Sequence, residues 1–169
     1  MKISKPIKDS SYAIYGLGLS GKSVFKFLKK KNIKKIYTWD DKKNKNDKKK
    51  FKLFKKILDI VDYIVISPGI NIQKTKFKSR LLINKKKLIT DLDLFYMQKI
   101  PVKSIVITGT NGKSTACKLT QHIFKASKLD AQLGGNIGKP ILDLKIKKKS
   151  IVIIEASSFQ LSYTKFIKP

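Results

Sequence analysis

Short runs of β-branched and aromatic residues recur along the chain, each followed by a longer stretch whose apolar positions return every three or four residues between lysines. A period near two alternating with a period near 3.6 predicts strands and crossover helices, and therefore a parallel α/β structure. Residues 12–15 (Tyr-Ala-Ile-Tyr) form the first expected strand, 20–31 a helix, and 35–39 a second strand that ends at Asp40. A lysine-rich helix over 48–58 then leads to a strand at 63–66, which stops at Ser67-Pro68-Gly69. A helix over 74–83, a short strand at 88–90 and a short helix at 91–97 complete this half, with Pro101 as a boundary.

A second α/β unit starts with the strand expected at 104–108, continues through a helix over 113–126, and returns to a strand at 151–154. The expected organisation is thus a Rossmann-like parallel-sheet domain over residues 1–100, followed by the start of a P-loop-type α/β ATPase domain over 101–169. The second domain reads as unfinished, because the strands it supplies are few for a sheet of this kind. Gly134-Gly135-Asn136-Ile137-Gly138, between the helix and the last strand, reads by itself as a flexible turn.

Composition narrows the function classes. The apolar stretches are far shorter than the roughly 20 residues that span a bilayer. Met1 to Pro6 lead into no apolar run of the kind a secretory signal needs. Cys117 is the only cysteine, so no disulfide framework is expected. The cytoplasm is the expected compartment. A net charge of +28 raises the question of nucleic acid, but Arg80 is the only arginine. Base readers favour the bidentate arginine fork, and the lysines here are scattered with asparagine and isoleucine, as AT-rich coding would leave them. A noncatalytic polyanion-binding protein stays as an alternative on charge alone.

Two glycine-rich segments carry the chemistry. Gly16-Leu17-Gly18-Leu19-Ser20-Gly21 fits G-x-G-x-x-G between a strand and a helix, and Asp40 closes the next strand. Such a segment lets the backbone approach a pyrophosphate, and the acid can accept ribose hydroxyls. Physics alone leaves the nucleotide open, so an NAD(P)-binding oxidoreductase or sensor domain is a second alternative. Gly109-Thr110-Asn111-Gly112-Lys113-Ser114-Thr115 follows a strand and opens a helix, as a phosphate loop does, although Ile107 replaces the first glycine of the general pattern. Its N–H groups and Lys113 suit phosphates, and the Ser114 hydroxyl suits magnesium. Glu155, at a strand end, could hold the same ion, or be a cap or surface charge. His122 reads as a helix-face residue and Cys117 as a small core residue.

The segment from Thr108 to Thr115 resembles the ATP loop of the Mur ligases, whose spacing has this variant form. With Gly16 to Gly21, Ser67-Pro68-Gly69-Ile70, Gly134 to Gly138 and Glu155-Ala156-Ser157-Ser158-Phe159-Gln160-Leu161, it is similar to the D-glutamate-adding members. The resemblance covers nearly the whole chain in order. It implies ATP-dependent amide ligation of D-glutamate to UDP-N-acetylmuramoyl-L-alanine in peptidoglycan synthesis, with ATP and Mg2+ and with neither nucleic acid nor membrane as partner. Leu19, Ser20, Asp40, Gly69, Asn136 and Ser157 would then contact the UDP-sugar. Gly109, Thr110, Asn111, Gly112, Lys113, Ser114 and Thr115 would bind ATP, Lys113 being the catalytic cation, and Ser114 and Glu155 would hold the metal. Ala156, Asp93 and Ser162 depart from the residues usual in the family, without removing a phosphate or metal group. Because the family has three domains, the chain is expected to be an N-terminal piece, inactive by itself.

Overall fold

A computed structural model describes residues 6–169; the N-terminal residues 1–5, read above as leading into no secretory signal, lie outside the described residues. The chain divides into two compact units, one reaching to Asp91 and the other running from Leu92 to Pro169, so the division falls ahead of Pro101. Both are parallel α/β structures. Among the described residues no helix is long and apolar enough to cross a membrane.

In the first unit the chain runs β1 (Tyr12–Tyr15), α1 (Leu19–Lys30), β2 (Ile36–Trp39), α2 (Lys48–Ile60), β3 (Tyr63–Ile66), α3 (Lys78–Ile83) and β4 (Leu88–Ile89). The sheet order is β2-β1-β3-β4, all parallel. β1 and β3 are buried along their whole length, which explains why they read as continuous apolar runs rather than alternating ones. Of the stretch expected as one helix over 74–83, only the six-residue α3 is α-helical, and a 3-10 turn, Ile72–Lys74, precedes it. Asn71 starts that turn by accepting the Gln73 N–H at 2.9 Å. An aromatic cluster fills the core: Phe77 packs against Tyr15, Trp39, Phe51 and Phe54, with ring centroids 4.7–5.6 Å apart.

α4 (Asp91–Met97) leads into β5 (Lys103–Ile107), α5 (Lys113–Ala126), β6 (Ala131–Gly135), β7 (Ile151–Glu155) and the single-turn α6 (Ser158–Leu161). The sheet order is β5-β7-β6. β7 therefore lies in the middle, and its side chains serve both faces. Val152 and Ile154 pack with Leu92 and Phe95 of α4, whereas Ile153 packs with Cys117 of α5 and Ala131. β6 is the element that sequence periodicity misses, since two of its five residues are glycine. Backbone crowding accounts for both. A Cβ on Gly134 would lie 2.8 Å from the Lys139 carbonyl oxygen, and one on Gly135 would lie 2.3 Å from that of Glu155.

Candidate functional site

In the first unit the strand order reverses at β1: the chain moves outward to β2 and then returns to the other side of β1 as β3. Ligands of open α/β sheets bind outside the carboxyl ends of the strands at such a switch point. The segment from Gly16 to Gly21 follows β1 there, and Ser67-Pro68-Gly69 follows β3. Backbone and side-chain hydrogen bonds fix the glycine loop from both sides. Gly16 N–H donates to the Trp39 carbonyl at 2.8 Å, and Ser67 Oγ donates to the Gly16 carbonyl at 2.8 Å.

The three glycines do different work. Gly16 turns the chain at φ +92°. Gly21, inside the first turn of α1, allows helix and loop to touch, because a Cβ would lie 1.8 Å from the Gly16 carbonyl oxygen. Gly18, the N-cap of α1, has nothing within 4 Å of where a Cβ would stand, and the same is true of Gly69. No side chain caps α1, so its first N–H groups are available to an anion. Leu19 is 78% exposed beside them, and Ser20 is half-buried.

Asp40 is engaged differently from the sequence expectation. Its Oδ2 accepts the Leu17 N–H at 2.7 Å, and its Oδ1 accepts those of Lys42 and Lys43 at 3.0 and 3.2 Å. These N–H groups, Leu17 foremost, hold the carboxyl below the ordinary aspartate range against a partial burial cost. The residue thus ties the glycine loop to the turn after β2.

The second unit gathers its candidates at the carboxyl edge of β5-β7-β6, where Ile107, Glu155 and Gly135 lie in register. The phosphate loop leaves β5 and enters α5 through Gly112, which is left-handed at φ +75° and has open space around its Cβ position. Lys113 Nζ donates to the carbonyls of Gly109 and Thr110 at 2.7 and 3.1 Å. Its charge sits over the loop it belongs to. Ser114 Oγ donates to Glu155 Oε2 at 2.6 Å, and Glu155 is only 5% exposed. The loop after β6 closes in from the other side, with Asn136 N–H donating to the Glu155 carbonyl at 2.9 Å.

These residues form a set of hard oxygen donors beside a phosphate-type loop, which fits Mg2+; among the described residues no cluster of three or more His, Cys, Asp or Glu accompanies it. Asn136 is exposed, with its backbone against Glu155. The Ser157 hydroxyl accepts the Gln160 N–H at 3.1 Å and caps α6, which leaves its own O–H as a donor. Thr110, Asn111 and Thr115 are exposed around the loop. His122 is exposed on α5, and Cys117 is buried in it, with its thiol pushed up by burial and secondarily by the Glu155 charge.

Taken together, the two units define an α/β protein with a switch-point crevice in one and a phosphate loop facing a buried carboxylate in the other. Sequence comparison places relatives beside this architecture, and they share one description. The chain is 39% identical to the UDP-N-acetylmuramoylalanine–D-glutamate ligase of Wolbachia sp. subsp. Brugia malayi, over 95% of the chain and 34% of the relative. It is 35% identical to that of Aquifex aeolicus, over 94% and 36%, and 40% identical to that of Buchnera aphidicola subsp. Acyrthosiphon pisum, over 89% and 36%. The chain is thus similar to these ligases over nearly all of its own length, and it spans about a third of the length of the curated relatives it matches. No protein-family model matches it.

Proposed function

We propose that the chain carries the UDP-sugar crevice and the ATP phosphate loop of a cytoplasmic ligase that joins D-glutamate to UDP-N-acetylmuramoyl-L-alanine in peptidoglycan synthesis. The relatives' shared name supports the substrates. The observation that carries the reading is the 2.6 Å contact of Ser114 with Glu155 at the mouth of the phosphate loop. A hydroxyl and a buried carboxylate meeting where a helix begins is the arrangement a metal-bound triphosphate requires.

In this reading the first unit holds the uridine diphosphate. The N–H groups of Leu19 and Ser20 point at the pyrophosphate, Gly18 and Gly69 let it come close, and Asp40 keeps Leu17 in place. Asp40, whose oxygens accept the Leu17, Lys42 and Lys43 N–H groups, keeps a lone pair on Oδ2 for a nucleotide hydroxyl, so NADH is the competing ligand to test. The second unit holds ATP. The loop N–H groups wrap its phosphates, and Lys113 exchanges the Gly109 and Thr110 carbonyls for phosphate oxygens. Ser114 and Glu155 would hold Mg2+, which supplies charge compensation on the phosphates. The L-alanine carboxylate takes the γ-phosphoryl group, and the amine of D-glutamate displaces phosphate from the resulting acyl phosphate. Asn136 orients substrate from the opposite loop.

Residues 1–169 on their own are expected to bind and not to ligate, because among the described residues no group of three or more His, Cys, Asp or Glu forms around Glu155 to complete a metal site. Calorimetric titration with UDP, NADH and Mg-ATP tests the reading. Preference for UDP over NADH, with separate Mg-ATP binding weakened by Lys113→Ala, supports it. NADH preference, or D-glutamate-dependent phosphate release lost in Lys113→Ala, would overturn its first or last part.

A further inference from the structure

A cavity of about 850 Å3 in the first unit opens beside α2, next to the ends of β1 and β2. None of the residues from Gly16 to Gly21 or from Ser67 to Gly69 lines it. Its floor is aromatic, made by Trp39 and the half-buried Phe51, whose rings meet edge-on at 5.7 Å. Six lysines stand around it. Lys48, Lys52 and Lys55 recur at helical spacing on one face of α2, with Lys45 before them, while Lys74 and Lys76 form the facing wall. Lysine stems cover apolar surface and leave their ammonium groups at the rim.

Two carboxylates also line the cavity, and both are committed elsewhere. Asp41 accepts the Tyr15 hydroxyl at 2.6 Å and the Trp39 indole N–H at 2.8 Å, and the Tyr15 hydroxyl also meets Thr75 Oγ1. Asp47 caps α2 by accepting the Lys50 N–H at 2.8 Å. Among the described residues, none of the six ammonium groups makes an ion pair. Six like charges around one concavity repel each other, and a compact polyanion between them removes that repulsion while gaining a focused field. The floor network, which ties the ends of β1 and β2 to the segment before α3, holds the shape without a ligand.

We infer that this cavity is a second anion site, one that takes a small oligophosphate between α2 and the segment around Lys74 to Lys76. It is independent of the UDP crevice and of the phosphate loop. Trp39, the only tryptophan of the chain, lies in it and reports its occupancy.

The test is titration of the whole chain with inorganic tripolyphosphate, read by calorimetry and by Trp39 emission. Saturable binding with a change in emission is expected. The triple variant Lys48→Gln, Lys52→Gln, Lys55→Gln should bind at least about tenfold more weakly, and glutamine keeps the helix intact. A control triple with the same change in charge, Lys145→Gln, Lys148→Gln, Lys149→Gln, should retain affinity within about twofold, since none of these side chains lines the cavity. Equal loss in both triples, or binding without saturation, would reduce the effect to diffuse charge and overturn the site. Loss on prior saturation with UDP would assign the signal to the crevice, and loss in Lys113→Ala would assign it to the phosphate loop. Either result refutes an independent site.

Discussion

Ser114 Oγ donates a hydrogen bond to Glu155 Oε2 at 2.6 Å, joining the first residues of α5 to the end of the strand that the sheet places next to β5. A buried carboxylate that loses a donor bears its desolvation cost uncompensated. Ser114→Ala is therefore expected to destabilise the second unit by about 1–3 kcal/mol in denaturant melts. Glu155→Gln keeps an acceptor and loses the charge, so it should melt near wild type while losing the Mg2+ dependence of ATP binding. Equal stability of wild type and Ser114→Ala would show that the contact carries no weight in the fold.

The glycines after β1 separate fold from binding. Gly21→Ala sets a Cβ against the Gly16 carbonyl oxygen, where neither backbone can yield cheaply. It should cost at least about 1–3 kcal/mol, seen as a lower melting temperature. Gly18→Ala meets open space and should melt normally, yet UDP affinity should fall, because the added methyl stands where the pyrophosphate approaches. Calorimetry with UDP on the two variants decides it, and unchanged affinity in Gly18→Ala would remove that position from the crevice.

Asp40 gives the first unit an acid limit. Its folded pKa lies below the ordinary value of 3.8. The stability it contributes is complete above that ordinary value and is lost as the pH falls through the folded one. Trp39 emission during unfolding should show a fall in stability below about pH 4 that is shallower in Asp40→Asn. The same variant should weaken UDP binding at neutral pH by loosening Leu17, and identical pH profiles would rule out the clamp.

Cys117 should react with thiol reagents only when the second unit opens. The thiol is buried against Ala131 and Ile153, and burial raises its pKa, with the Glu155 charge adding to the effect. Labelling at about pH 8 is expected to be slow in the native chain and to accelerate in Ser114→Ala, in step with the lost stability. Rapid labelling of the wild type would contradict this packing.

Most elements could be read from the sequence, because buried parallel strands and amphipathic helices leave different periodicities. β1, β3 and α5 fall at the expected residues, and α1 is displaced by one. β6 was not legible: Ala-Gln-Leu-Gly-Gly looks like a turn, and only the approach of Glu155 and Lys139 explains why a strand needs glycine there. The helix expected over 74–83 begins only at Lys78, since Thr75 Oγ1 accepts the Phe77 N–H at 3.2 Å, a local hydrogen bond that competes with helical ones. At the site, the spacing of glycines, lysine and strand-end acids identified the two loops. It could not foresee that Asp40 and Ser157 also accept backbone N–H groups, since that depends on loop geometry.

The middle position of β7 sets the order in which the two units can form during synthesis. In the first unit β1 is made first and pairs with β2 and then β3, so its ladder grows as the chain lengthens. In the second, β5 and β6 each pair with β7 and not with one another. Every ladder hydrogen bond of that sheet waits for Ile151–Glu155 to leave the ribosome, and the phosphate loop is made long before the strand that supplies its partner carboxylate. A nascent chain paused before Ile151 thus holds a first unit whose strands are all made, followed by an open, protease-sensitive tail. The residue that completes the site is also among those that lock its sheet.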